Sequence, residues 1–233
     1  LESSPPKERN LLWELVDAEL QGDVLQYLGE DIQTDFLKDM DAVDVLAATE
    51  NLEPDDVADI LQRLPNAVIL EVLDSMEAQE RLRVETVLSF PEDTAGGLMN
   101  TDTITIRPDI TLDVVLRYIR RHERLPDSTD TLLVVSRRDE FIGALPINRL
   151  LVSDPGVTVR EVMDTDSVVI PALMPETEVA SLFEKHDLIS APVVGGDGNL
   201  LGRITIDDVV DVIRGDAEHQ VMSMAGMDED EDT

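Results

Sequence analysis

The chain has 233 residues with 51 Asp and Glu against 18 Lys and Arg, so the formal balance is 18 − 51 = −33 at pH 7. Phosphate backbones and anionic lipid surfaces are recognised by clustered cations, so this charge excludes nucleic acid as a partner and makes cations the natural one. A hydrophobic content of 42% is enough for real cores in one or two domains, and the absence of cysteine excludes disulfides, thiolate metal sites and cysteine nucleophiles.

The N-terminal stretch, Leu1 to Asn10, lacks the apolar core of a signal peptide, and no segment approaches the roughly 20 apolar residues that cross a bilayer. The chain begins without Met and ends in an acidic run, Asp228 to Asp232, which suggests a soluble piece of something longer. Its first hundred residues read as short amphipathic helices. Apolar residues recur at helical spacing from Leu11 to Leu28, with a break expected near Gln21-Gly22. Asp41 to Leu46, Pro54 to Leu61 and Asn66 to Leu73 each carry a start signal and an apolar stripe. Pro54 suits a first helical position, and Asp55 and Asp56 oppose the positive helix end. The close, irregular spacing suggests a helical superhelix.

At Pro91-Glu-Asp-Thr-Ala-Gly-Gly-Leu-Met99 the composition changes and β-branched runs begin to alternate with helical patterns. Ala95-Gly96-Gly97 follows no strand and precedes no Gly-Lys-Ser/Thr, so it reads as a hinge or cap and not as a phosphate loop. From here the sequence repeats itself. Met99 to Ile106 aligns with Met163 to Ile170 at an offset of 163 − 99 = 64, while Gly143 aligns with Gly202 at 202 − 143 = 59. The first copy therefore has 64 − 59 = 5 extra residues, placed around Leu125 to Thr129. Each copy reads strand, helix, strand, turn, strand, helix. In the second copy the helix is Glu176 to His186, the turn Gly195 to Gly198, the last strand Leu200 to Ile206 and the last helix Asp207 to Arg214.

Two β-α-β-β-α units closing on Gly202-x-x-Thr205-x-x-Asp208 resemble a pair of CBS domains. With the acidic helical region and the Pro91 to Met99 junction in front, the whole resembles the cytosolic part of the MgtE family of magnesium channels. The implied fold is an α-helical superhelical N domain at 1–98 followed by an α/β tandem CBS pair at 99–160 and 161–220. Residues 221–233 would form an acidic tail leading to an absent transmembrane domain. The resemblance also implies a place on the cytoplasmic side of the membrane, within a multi-pass protein, and a homodimer formed through the CBS domains.

No nucleophile–base pair or histidine ligand set can be assembled from the spacing, so no enzyme is expected; His122, His186 and His219 are each isolated. Thr205 and Asp208 fit two readings: contacts to the ribose and phosphate of an adenosine ligand such as ATP, or a strand end and helix cap. The first copy has Pro146 and Arg149 at these positions. Asp208 and Asp211 share a helix face, with Asp216 extending that line beyond the helix end, and Asp55 and Asp59 are an i, i+4 pair. Charge alone leaves a solvated face as the simpler reading. The resemblance instead implies Mg²⁺ held between Asp23 and Asp55 of the helical region and Asp187, Asp208, Asp211 and Asp216 of the second CBS unit, stabilising a compact state that closes the pore. His219 and Gln220 stand where the family continues with acids, leaving Glu218 as the nearest substitute. Acidity as salt adaptation also fits, since Lys is confined to Lys7, Lys38 and Lys185.

Overall fold

The computed structural model of the chain describes residues 1, 4–122, 124–126 and 128–224, and for residues 6, 18, 19, 30 and 216–224 the backbone alone. It divides into two compact units, Leu1–Ser89 and Phe90–Thr233.

The first unit is helical: α1 (Pro6–Trp13), α2 (Ala18–Gln26), α3 (Glu30–Leu37), α4 (Ala42–Thr49), α5 (Pro54–Gln62), α6 (Asn66–Ser75) and α7 (Ala78–Leu88). The starts follow from local chemistry. The Asp41 carboxylate accepts from the N–H groups of Val43 at 2.9 Å and Asp44 at 3.0 Å. The Asp44 carboxylate returns the bond to the Asp41 N–H, which completes a capping box for α4. Pro54 occupies the first turn of α5, as expected. Leu25, Val45, Val57, Leu61, Val72, Val84 and Val87 form one core, and Trp13 stacks on Phe36 with ring centroids 4.3 Å apart. The expected break at Gln21-Gly22 is corrected: the chain turns between α1 and α2 at residues 14–17, and Gly22 lies inside α2. Its role is close packing, since a Cβ there would sit 2.2 Å from the Ala48 carbonyl oxygen. The sequence also left α3 and α7 unnamed as separate helices.

The second unit holds two three-stranded sheets. The first half has β1 (Thr105–Ile106), α8 (Leu112–Ile119), β2 (Thr131–Val135), β3 (Phe141–Pro146) and α9 (Ile147–Val152). A short α10 (Val159–Val162) leads into β4 (Ile170–Pro171), α11 (Glu176–His186), β5 (Ser190–Val194), β6 (Leu200–Thr205) and α12 (Ile206–Met224). In both sheets the first strand pairs parallel and the third antiparallel to the middle one. The last helix outruns its expected end at Arg214. Gly215 is tolerated within α12, so Asp216 lies inside the helix and not beyond it, as do residues 221–224 of the expected tail. Residues 225–233 of that tail lie outside the described residues.

The repeat is visible as exchanged arms. Asn100 bridges Arg203, and its counterpart Asp164 bridges Ala144. Thr94 bridges Pro175, and its counterpart Thr158 bridges Thr111. Each arm thus pairs with the half that follows or precedes its own. Ala95 and Met99 are buried in the core built on Ile170, Phe183 and Ile204, while Val159 is buried with Leu112, Leu132 and Leu145. The contact division after Ser89 has the same origin, because the Ala95 and Gly96 N–H groups bond to the Met174 and Ala172 carbonyls at 2.8 Å. At the opposite end the Phe141 N–H donates to the Gly198 carbonyl and the Leu200 N–H to the Asp139 carbonyl, both at 3.0 Å. These paired contacts between equivalent residues make the unit pseudo-twofold.

Candidate functional site

Side chains alternate along a strand and directly opposed residues share a face, so register assigns the second sheet's two sides. Ser190 pairs with Thr205, Pro192 with Arg203, and Asn100 bridges Arg203. One face therefore carries Asn100, Ser190, Arg203 and Thr205; the other carries Ala191, Val193 and Ile204, which belong to the apolar core. The polar face is well shielded: Asn100 is 0% exposed, Thr205 2% and Arg203 3%.

Thr205 ends β6 and α12 begins at the next residue. Its hydroxyl donates to the Asp208 carboxylate at 3.0 Å and also to Asp207, and its N–H donates to the same Asp208 oxygen at 3.3 Å. This is a cap that places two carboxylates in the first turn of a helix, where the macrodipole favours them. The same geometry leaves the Thr205 hydroxyl and the Asp208 carboxylate adjacent at the strand-to-helix turn. The first half offers nothing comparable. Pro146 precedes α9 without a side-chain cap, and the Arg149 guanidinium donates to the Val162 carbonyl at 2.8 Å.

Residues 128–130 of the first half reach this polar face. The Arg203 guanidinium donates to the Ser128 carbonyl at 3.1 Å, the Ser128 hydroxyl donates to Asp207 at 3.5 Å, and the Ser190 hydroxyl donates to the Asp130 carboxylate. Sequence reasoning missed Asn100, Ser128, Asp130, Ser190 and Arg203. Strand alternation could have found Arg203, two residues before Thr205; the others depend on pairing between distant segments.

The carboxylates expected to hold metal are differently placed. Asp23 is exposed on α2, and Asp55, in the first turn of α5, is 5% exposed. Asp187 caps α11 in the left-handed conformation, φ 51° and ψ 44°, with its side chain exposed. Asp211 is exposed, one turn along α12 from half-buried Asp208, with Arg214 at 3.6 Å. Helices α11 and α12 pack together, so Asp187, Asp208 and Asp211 belong to one helix pair. The side chains of Asp216, Glu218, His219 and Gln220 lie outside those described. Among the described residues no three His, Asp or Glu side chains converge as a ligand group. His122 is exposed beside Tyr118, its ring edge-on at 5.0 Å, and His186 lies in the last turn of α11. No described helix is long and apolar enough to cross a membrane.

Comparison with known proteins gives a consistent picture. The profile of the MgtE intracellular N domain matches residues 1–93, and that of the CBS domain matches residues 95–153 and 159–215. A magnesium transporter MgtE of Thermus thermophilus is 32% identical over 75% of this chain, which spans 39% of that protein's length. The solved cytosolic domain of the Mg²⁺ channel MgtE in complex with ATP superposes with a TM-score of 0.77 at 30% identity, covering 90% of this chain and 91% of that one. The soluble part of a magnesium transporter gives a TM-score of 0.79 at 21% identity, covering 92% and 85%, and so shares the fold.

Proposed function

The chain belongs to the MgtE family, and on that premise we propose that it is the cytosolic Mg²⁺-sensing region of a magnesium channel or transporter whose membrane-spanning part lies outside this sequence. The observation that carries this reading is the match, over nine-tenths of both chains, to the solved cytosolic domain of an Mg²⁺ channel.

The donor chemistry fits the ion. Mg²⁺ takes oxygen ligands, keeps several waters, and commonly binds through one or two carboxylates. Exposed Asp23, Asp187 and Asp211, with less exposed Asp55 and Asp208, offer that donor type. Asp23 and Asp55 of the first unit would hold it together with Asp187, Asp208, Asp211 and Asp216 of the second. The bound ion would supply positive charge between like-charged groups. Residues 1–98 carry 6 basic and 24 acidic residues, a balance of 6 − 24 = −18, and the remainder 12 − 27 = −15, so each part repels the other. The acids thereby bias the region toward an open state at low Mg²⁺. Binding shifts the balance only through tighter association with the compact state, which in the intact protein closes the pore.

Small-angle scattering across an MgCl₂ series, with NaCl at matched ionic strength, tests this. The radius of gyration should fall with MgCl₂ alone, and Asp55→Ala with Asp211→Ala should abolish the fall. An unchanged radius in the intact chain refutes the reading.

A second reading takes the Thr205 and Asp208 turn as an adenine-nucleotide site, supported by the ATP-bound relative and by the shielded polar face around Thr205. Calorimetric titration with ATP separates the two, since Thr205→Ala should remove nucleotide binding and leave the MgCl₂ response.

A further inference from the structure

The five residues that the first half has and the second lacks are not a surface embellishment. The connection from α8 to β2 runs over residues 120–130, whereas its counterpart from α11 to β5 runs only over residues 187–189. The longer connection reaches across to the polar face of the other half, where Ser128 and Asp130 make the contacts with Arg203, Asp207 and Ser190 described above. Ser128 accepts the Arg203 bond through its backbone while held at φ 52°, in the left-handed region that side chains with a Cβ rarely adopt.

Beneath it lies an unfinished site. Asn100, on the same face, is fully buried; its side-chain oxygen accepts the Asp102 N–H at 2.7 Å, while its Nδ2 donates to nothing among the described residues. Burying a donor without an acceptor is unfavourable, and native structures rarely retain such a group without a reason. A guest with acceptor oxygens or ring nitrogens would supply what the loop does not. The equivalent face of the first half has Ala144 where the second has the buried Arg203 and Pro146 where it has Thr205, so it lacks the cation and the strand-end hydroxyl, and Thr131 is its counterpart of Ser190.

We propose that residues 128–130 form an intramolecular strap that occupies the Thr205 face and competes with its ligand. The strap donates a backbone carbonyl to Arg203 and a hydroxyl to Asp207, so both groups are already engaged before any guest arrives. A ligand enters by displacing Ser128 from Arg203 and Asp207. The left-handed Ser128 makes that release easier, since the freed residue relaxes to an ordinary conformation. The proposal rests on the nucleotide reading of this face and adds its regulation: the intact chain binds weakly, and anything that draws the strap away raises affinity.

The test is calorimetric titration of ATP, and separately of AMP, into the full chain and two variants. The first variant lacks residues 125–129, which gives both halves the same spacing from helix start to the next strand; the second half shows that the fold accommodates a short connection. The second variant, Ser128→Val, keeps the length but places a branched side chain at the left-handed position and removes the hydroxyl. The shortened chain should bind at least one of the two nucleotides about tenfold or more tighter than the intact chain, and Ser128→Val should bind severalfold tighter. If the shortened chain does not fold, Ser128→Val carries the comparison. Equal, measurable affinity in all forms overturns the strap and leaves the nucleotide reading standing. No binding of either nucleotide to any form overturns the nucleotide reading, and the strap with it.

Discussion

The exchanged arms make a prediction that no reading of the repeat by sequence alone would make. Met99 opens the first copy, yet it is 0% exposed within the core of the second half, beside Ile170, Phe183 and Ile204. Met99→Ala should therefore loosen the second half and spare the first. The substitution removes three methylene-sized groups, about 2.4 kcal/mol at roughly 0.8 kcal/mol each. Incomplete collapse of the cavity adds to this, so the loss should be about 3 kcal/mol, within the range of about 2–5 for buried Met→Ala changes. Hydrogen exchange read by mass spectrometry resolves where it falls. Peptides from β5 and β6 should lose protection, while those from β2 and β3 keep theirs to within a few tenths of a kcal/mol. Met163→Ala, the equivalent change in the other arm, should reverse the pattern, since Met163 packs against the first core. Loss of protection in β2 and β3 on Met99→Ala, with β5 and β6 intact, would refute the exchange.

Gly22→Ala should destabilise the first unit by at least about 1 kcal/mol, because its Cβ meets the Ala48 backbone oxygen and α2 must shift; a chemical melt of residues 1–89 within the full chain, read by Trp13 fluorescence, checks it. Thr205→Ala removes the hydroxyl donated to Asp207 and Asp208 but keeps the backbone N–H bond to Asp208, and should lower stability by about 1 kcal/mol, read as a fall in the urea midpoint. Burial first, then the charges of Glu77 and Glu50, raise the Glu80 carboxyl above its ordinary 4.5 against a lowering by Arg83. The folded chain then holds this proton more tightly than the unfolded one, so its contribution is lost as pH rises from 4.5 through the raised value, and Glu80→Gln should stabilise at pH 7 but not at pH 4. Glu161 is the opposite case. The Thr158 hydroxyl and N–H hold its carboxyl below 4.5, so its contribution is present above 4.5 and fades as pH falls through the depressed value; Glu161→Gln should narrow the difference between melts at pH 7 and pH 3.

Local chemistry carried much of the architecture. Asp41, Pro54 and Pro65 mark the helix starts at α4, α5 and α6, and the two offsets of the repeat place the strands and helices of both halves. The errors have a common physical source. The expected break falls near Gly22 and the expected last helix ends at Arg214, just before Gly215, yet a Gly in a helix loses only about 1 kcal/mol, which packing readily overrides. At Gly22 the gain is close approach to Ala48. The arm exchange was invisible because periodicity reports which face is apolar and not which partner covers it: Asn100 and Asp164 look alike in sequence whichever half they join. The candidate site divides the same way. Thr205 and Asp208 were legible because their contacts span three residues, whereas Arg203 with Ser128 spans 75 and Ser190 with Asp130 spans 60.

The distribution of exposure among the acids bears on what such a sensor can distinguish. Two unit charges at 4 Å interact by about 1 kcal/mol in water and about 4 kcal/mol at an effective dielectric of 20. Salt at physiological strength screens exposed charges beyond about 8 Å. Asp23, Asp187 and Asp211 are exposed, so their repulsion answers to ionic strength in general, and Na⁺ relieves it as well as Mg²⁺ does at equal screening. A response particular to a divalent ion needs carboxylates less open to general screening by salt. Asp55, 5% exposed at the first turn of α5, and half-buried Asp208 are the candidates. On the proposed Mg²⁺-sensing reading, the exposed acids would set how strongly the region opens, and the less accessible Asp55 and Asp208 would set which ion closes it. It follows that Asp211→Asn should shift the MgCl₂ midpoint while preserving the contrast with NaCl, whereas Asp55→Asn should erase that contrast; the reverse assignment in scattering at matched ionic strength would refute this division of roles.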